Sequence, residues 1–309
     1  MVNEEEFVDD FMRVNLPLVD KMVVAEGAVV GNPFCTPDGH SVDNTLTLLE
    51  KYRDLHPDKV VLVTKEGKWN SKQEQKNATL EHINEGEWWF GIGADEFYMP
   101  QARKQIESLH EKYPEITEYI FPMIHFWNDT NHIVVDETTR SHRALQRHQR
   151  LFKYQGFMFF VNHPTINDRE NRDIFFNQDY EMNRMILGAL VGFKHTPYAV
   201  NNYNEKEEIT MFHYSFIRNR LHQIKKHIFY LMRDQDYTFE EAVDFISKVT
   251  HNDIETIYGY IEQIHNKSKL QIKEYDVAHP LQNKVFEDEI IDLDALRCSV
   301  GNFLEMPEK

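Results

Sequence analysis

Val60-Val61-Leu62-Val63 is apolar at every position and is bounded by the polar residues Lys59 and Thr64. No other feature limits the fold of this chain so tightly. A short apolar run without period-2 alternation is the pattern of a strand covered on both faces, as in a parallel sheet packed between helices. Helical patterns flank it. Ahead of it, Ser41 reads as the cap of a helix carrying Val42, Leu46, Leu49 and Arg53 on one side; behind it, a polar loop leads into a helix over about 71–83. An earlier strand over Asp20 to Val24 ends at Glu26-Gly27, and a Pro/Gly/Asn loop (Gly31, Asn32, Pro33, Pro37, Gly39) follows. A third strand, Trp88-Trp89-Phe90-Gly91-Ile92, ends in Gly93-Ala94-Asp95-Glu96-Phe97. Asn3 followed by Glu4, Glu5 and Glu6 suits the positive end of a helix that carries Phe7, Phe11 and Val14. Strand and helix alternating in this way read as an α/β sheet with right-handed crossovers.

The middle of the chain is richer in strands, with candidates at Tyr119 to Trp127, Ile133 to Val135, Gln149 to Lys153 and Phe157 to Val161. After about residue 204 the pattern turns helical. Thr238 with Glu241 and Asn252 with Glu255 have capping-box spacing, and Ile254, Ile257, Tyr258, Ile261 and Ile264 form an apolar stripe that reads as core. The expected division is 1–204 for the sheet domain and 205–309 for a mainly helical region packed on it.

Composition narrows the function. Of 309 residues, 41% are hydrophobic and 13% aromatic, enough for a buried core, which excludes a disordered or fibrous chain. No apolar run approaches the roughly 18 residues of a membrane span, and the acidic opening has no apolar signal segment. Cys35 and Cys298 are the only cysteines, with neither CxxC nor zinc spacing, so a reducing, cytoplasmic setting is expected. The net charge of −17 argues against a nucleic-acid coat or a membrane-surface binder. Two basic stretches interrupt it: Arg140, Arg143, Arg147, Arg150 and Lys153 without an intervening acid, and Arg218, Arg220, Lys225 and Lys226. They read either as solvated faces or as an anion site. HExxH, GxGxxG and GxxxxGK[ST] are absent, which leaves zinc-protease, dinucleotide and P-loop readings without support.

Ligands of open α/β sheets bind at the carboxyl ends of strands, and Glu26 and Asp95 stand at such ends, with Glu96 adjacent. Acids placed there can hold a divalent cation or hydrogen-bond a base or ribose. Asn3-Glu4-Glu5, then Val19 to Ala28 (VDKMVVAEGA), then Ser41-Val42-Asp43-Asn44-Thr45 resemble the opening of family 2-type glycosyltransferases with the GT-A fold. There an N-E-E turn precedes the first helix, a strand ends in an acid, and S-x-D-x-T starts the next helix. WWFGIGADEFY from Trp88 to Tyr98 is similar to the family's strand ending in D-x-D-E-F. Arg150-Leu151-Phe152-Lys153, His163-Pro164-Thr165 and His213-Tyr214-Ser215-Phe216 resemble landmarks of a microbial and phage branch. The likeness covers about residues 3 to 230.

The resemblance implies a GT-A-like, mostly parallel sheet with helices on both faces and a helical C-terminal extension. It implies a hexosyl- or pentosyltransferase that uses a nucleotide-sugar donor with Mn²⁺ or Mg²⁺, in a cytoplasm that is the host's if the chain is phage-encoded. By position, Glu26 would contact the nucleotide base, Asp95 and His213 would hold the metal, and Lys72 and Asn77 would approach the donor. Arg150 and Lys153 would face the diphosphate or an anionic acceptor. The resemblance leaves the catalytic base open, and Asp129 in His125-Phe126-Trp127-Asn128-Asp129 is the first choice among several acids. The acceptor would be a glycan, or phage DNA carrying a modified base. Two departures stand against the pattern: Gly93 replaces the first acid of D-x-D, and only Met1 and Val2 stand where the family has its first, central strand. They leave a second reading, a catalytically inactive GT-A-like binding or assembly protein.

Overall fold

The computed structural model describes residues 1–114, 116–136, 146–154, 159–160, 166–167, 184–186, 199–200, 209–217, 220–248 and 270–285. The expected boundary at 204, the second capping box, the stripe from Ile254 to Ile264, His163 and Cys298 lie outside these residues.

The chain is α/β. Helix α1 (Glu5–Asn15) leads through a short 3₁₀ turn to β1 (Met22–Ala25); α2 (Thr45–Leu55) precedes β2 (Val60–Val63), and α3 (Lys72–Leu80) precedes β3 (Trp88–Phe90). Next come β4 (Glu96–Phe97), α4 (Ala102–Lys112), β5 (Glu118–Trp127), β6 (Asp129–Asp136) and β7 (Gln146–Lys153). After the short pieces β8 (Phe159–Phe160), β9 (Ile166–Asn167), β10 (Arg184–Ile186) and β11 (Ala199–Val200) come β12 (Met211–Phe216), α5 (Arg220–Gln235), α6 (Phe239–Lys248) and β13 (Leu270–Glu274). No helix among the described residues is long and apolar enough to cross a membrane.

The sheet differs from the mostly parallel one expected. Among the described residues, strand β5 is the axis of a nine-stranded sheet. It pairs in parallel with β10 and β12 and antiparallel with β6 and β7. The β3–β7, β4–β12 and β6–β13 ladders are antiparallel too. The reason is local at Asn128, which adopts a left-handed φ of 63° and turns the chain straight back, so β6 returns beside β5 without a helical crossover. Strands β1 and β2 do run parallel, Met22 opposite Val60, but as a separate pair. Val60 is buried and Val61, Leu62 and Val63 are half-buried, so this is not the doubly covered strand that its composition suggests. Its neighbour β1 faces β3 across a cleft of about 770 Å³.

Alternation along β5 assigns the two faces of the sheet. Ile124 and Phe126 join Phe7, Phe11, Met12 and Tyr214 under α1, while Tyr119, Phe121 and Met123 join Ile106 and Leu109 under α4. Helices therefore cover both faces. Helices α5 and α6 pack on the loop after β1: Phe34 sits among Ile228, Leu231, Phe239, Ala242 and Val243, and Phe229 lies against Val29 and Trp69. The capping box is formed, Thr238 N–H donating to Glu241 Oε2 at 2.9 Å and Glu241 N–H to Thr238 Oγ1 at 3.3 Å.

Candidate functional site

The N-E-E and S-x-D-x-T segments are halves of one structure. The first backbone N–H groups of a helix have no partner within it. Here Ser41 Oγ accepts from Asn3 N–H (3.0 Å), Thr45 Oγ1 from Glu4 N–H (2.6 Å) and Asp43 Oδ2 from Glu5 N–H (3.2 Å). Asn3, at φ 53°, returns the contact by accepting from Val42 N–H and donating to the Phe34 carbonyl. The motif thus caps α1, and α2 begins only at Thr45, three residues later than Ser41 as a cap would have it.

Glu26 follows β1 and is fully buried. Its Oε1 accepts from the N–H and hydroxyl of Ser41 at 2.8 and 2.7 Å, and its Oε2 lies 2.7 Å from His40 Nδ1. The carboxylate expected to read a nucleotide base is spent on fastening the loop after β1. Gly27 beside it has φ +118°, and a Cβ there would lie 3.0 Å from Trp69 Nε1, which itself donates to the Glu26 carbonyl at 2.9 Å.

Asp95 sits on the tight turn between β3 and β4. Tyr214 N–H donates to its carbonyl at 2.9 Å, and β12 places His213 opposite Glu96. Glu96 folds back to accept the Gly93 N–H at 2.7 Å and meets Arg150 in a two-pronged contact, Nη2 to Oε1 at 2.6 Å and Nε to Oε2 at 3.2 Å. Burial works against the Glu96 charge, yet Arg150 and His213 hold its carboxyl below the ordinary range. The same fold-back explains Gly93: a Cβ there would lie 3.0 Å from the Glu96 carboxyl carbon and 3.2 Å from Asp95 Oδ1. Glu96 fills the room the missing acid would need.

Asp95 Oδ2 is 3.2 Å from Lys226 Nζ and 3.6 Å from His213 Nε2. Lys226 also donates to Ser215 Oγ at 2.6 Å. His213 Nδ1 and His125 Nδ1 are 2.8 Å apart, so one ring donates and the other accepts. These groups open on a cavity of about 580 Å³ that reaches from Gly27 and Lys72 to Asp95, His148 and Tyr230. Burial pushes the His148 ring down to about 3, with Arg150 and His213 adding to the effect, so it is neutral at pH 7. Burial would raise the Tyr230 phenol, but Lys226 and Lys72 draw it below its usual value; the Lys72 ammonium stands 5.2 Å from the centre of that ring.

Of the residues the sequence singled out, the cavity gathers Lys72, Asp95, Arg150 and His213. Glu26 lies just behind its wall, and Asn77 and Lys153 do not line it. Asp129 is half exposed elsewhere, accepting from Asn131 N–H at 2.7 Å and lying 2.8 Å from His132 Nδ1. Lys226, His125 and His148 were not picked out as site residues. Lys226 belongs to the second basic stretch, and that was its one visible signal.

A protein-held Mn²⁺ or Mg²⁺ does not fit these donors. Among the described residues no three His, Cys, Asp or Glu side chains are grouped to hold a metal ion, and the Asp95 oxygen nearest His213 already faces an ammonium. No family model matches this chain, and no curated protein matches it.

Proposed function

We propose that this protein is a glycosyltransferase that binds a nucleotide-sugar in the cavity at Asp95 and passes the sugar to an acceptor hydroxyl. The observation that carries the reading is a set of cations brought together in one cavity, beside the carboxylates of Glu4, Glu5, Glu6, Asp43, Asp95 and Glu96. Lys72, Lys226 and Arg150 line one cavity of a protein whose net charge is −17. A donor diphosphate gains negative charge as it leaves, and prepositioned cations in a partly enclosed site stabilise that change more than water can. The cavity volume lies in the range of ligand sites, on the order of 300–1,000 Å³. Its position between the end of β1 and the turn after β3 supports the same reading. A glycan is the better acceptor, because DNA phosphates call for a broad basic face. With no disulfide framework in the sequence, a reducing cytoplasm is the proposed setting.

The test is a thermal-shift panel of nucleoside diphosphates, nucleotide-sugars and free sugars. A ligand at 100 times its Kd adds about 2.7 kcal/mol to native stability. Nucleotide-sugars should shift the transition and free sugars should not; a panel with no nucleotide response refutes the reading. A second reading, an inactive binding protein of the same fold, is favoured by the engagement of Glu26 with Ser41 and His40 and by the filled space at Gly93. It predicts donor binding with neither transfer nor donor hydrolysis over long incubation.

A further inference from the structure

We propose that the Lys226 ammonium takes the place of a divalent cation in this site, so that the transferase works without metal; the inference rests on the nucleotide-sugar reading above. Asp95 Oδ2, which by resemblance would ligate metal, is 3.2 Å from Lys226 Nζ. Mg²⁺ bonds carboxylate oxygens at roughly 2.0–2.1 Å, so an ion on that oxygen would stand within about 5 Å of the ammonium whatever its direction. The ammonium is held, not incidental: Ser215 Oγ accepts one of its protons at 2.6 Å and Asp95 a second. Both partners project from the framework that builds the turn, Ser215 from β12 and Asp95 from the segment β12 pins. An ammonium has three protons. Two of these go to Ser215 and Asp95, and Lys226 itself lines the cavity. Lys72 lines the same cavity.

The chemistry balances without a further reagent. The bond from the anomeric carbon to the diphosphate oxygen breaks, and its electron pair leaves on that oxygen. The acceptor hydroxyl oxygen forms the new bond to the anomeric carbon and releases its proton to water. Lys226 stays protonated throughout and neutralises charge on the departing phosphate, the part a metal ion plays in related chemistry. Lysine is an established phosphate binder of this point-charge kind.

The test uses the full chain and calorimetric titration of UDP, GDP, CDP and ADP, each with EDTA and with Mn²⁺. At least one diphosphate should bind equally well in EDTA and in Mn²⁺. Lys226→Met should weaken that binding about tenfold or more in EDTA, since a charge-assisted contact is lost. Lys226→Arg should retain most of it. Lys226→Met also takes the ammonium away from Asp95, so Mn²⁺ should restore part of the loss in that variant and none in Lys226→Met/Asp95→Asn. Circular dichroism and melting of each variant check that the fold is kept. Ser215→Ala, which leaves the charge in place and removes only its anchor, should weaken binding less than Lys226→Met. Binding by the wild type that EDTA abolishes overturns the inference while leaving the nucleotide-sugar reading intact. Affinity unchanged in Lys226→Met makes Lys226 a structural counter-ion of Asp95 and overturns it as well. No binding of any diphosphate under either condition overturns both.

Discussion

Replacing Glu96 with Gln tests the ionic centre on which the Asp95 turn is built. Glu96 and Arg150 are 6% and 8% exposed, and their two contacts of 2.6 and 3.2 Å form a fork. The same carboxylate holds the Gly93 N–H at 2.7 Å. Glutamine keeps the volume and one acceptor oxygen, but it takes from the buried guanidinium the carboxylate bonded to it and leaves only the weaker influence of Asp95. Removing one partner of a buried pair costs about 3–5 kcal/mol, mostly through the charge left behind. Unfolding entropy near 2.1 cal/mol/K per residue gives roughly 0.65 kcal/mol/K for 309 residues, so the melting temperature should fall by roughly 5–8 °C if unfolding is two-state. Urea unfolding and calorimetry of wild type, Glu96→Gln, Arg150→Met and Glu96→Met/Arg150→Met complete the cycle. The double variant should recover most of the loss, because an apolar pair of similar size leaves no charge unpaired. pH adds an independent check. The Glu96 carboxyl is depressed in the folded state, so its contribution is present above the unfolded carboxylate value and is lost as pH falls through the folded one. That acid limb should be shallower in Glu96→Gln. A cost below about 1 kcal/mol for Glu96→Gln, within the range of exposed ion pairs, would refute the argument that this pair is desolvated and coupled.

Burial pushes the His279 ring down to about 4; its Nδ1 accepts from the Tyr214 hydroxyl at 2.7 Å and its Nε2 donates to the Thr130 carbonyl at 2.9 Å. The unfolded ring binds its proton first, so stability should fall by roughly 2–3 kcal/mol, allowing for solvent screening, between pH 6.5 and 4, and His279→Gln should flatten that fall in urea titrations against pH. Gly93→Asp should not repair a metal site: its Cβ meets Glu96 at 3.0 Å and its charge meets two carboxylates, so a loss of about 1–3 kcal/mol and weaker diphosphate binding are expected in thermal shift. Asp43→Ala and Thr45→Ala should each cost about 0.5–2 kcal/mol in urea unfolding by stripping acceptors from the start of α1, although neither residue belongs to that helix.

Periodicity and capping act over a few residues, and what depends on them was legible in the chain. Val60 to Val63 is a strand, the helix expected over about 71–83 forms as α3, Thr238 caps α6, and Asp95 stands just past a strand on a tight turn. What depends on the choice of partner was not legible. Ser41 has the composition of a helix cap, yet it bonds Asn3 and Glu26, because packing α1 against this loop brings unpaired N–H groups and a buried carboxylate to it first. The same competition withdrew Glu26 from the cavity. Direction of pairing also escaped pattern reading: an apolar strand such as β5 has the same composition whether its neighbours run with it or against it, and the left-handed turn at Asn128 decided the matter for β6. Lys226 comes to Asp95 across 131 residues of chain, carried by a helix that docks through Phe34 and Phe229. Which cation meets a carboxylate follows from which apolar faces pack together, and that is settled by tertiary structure.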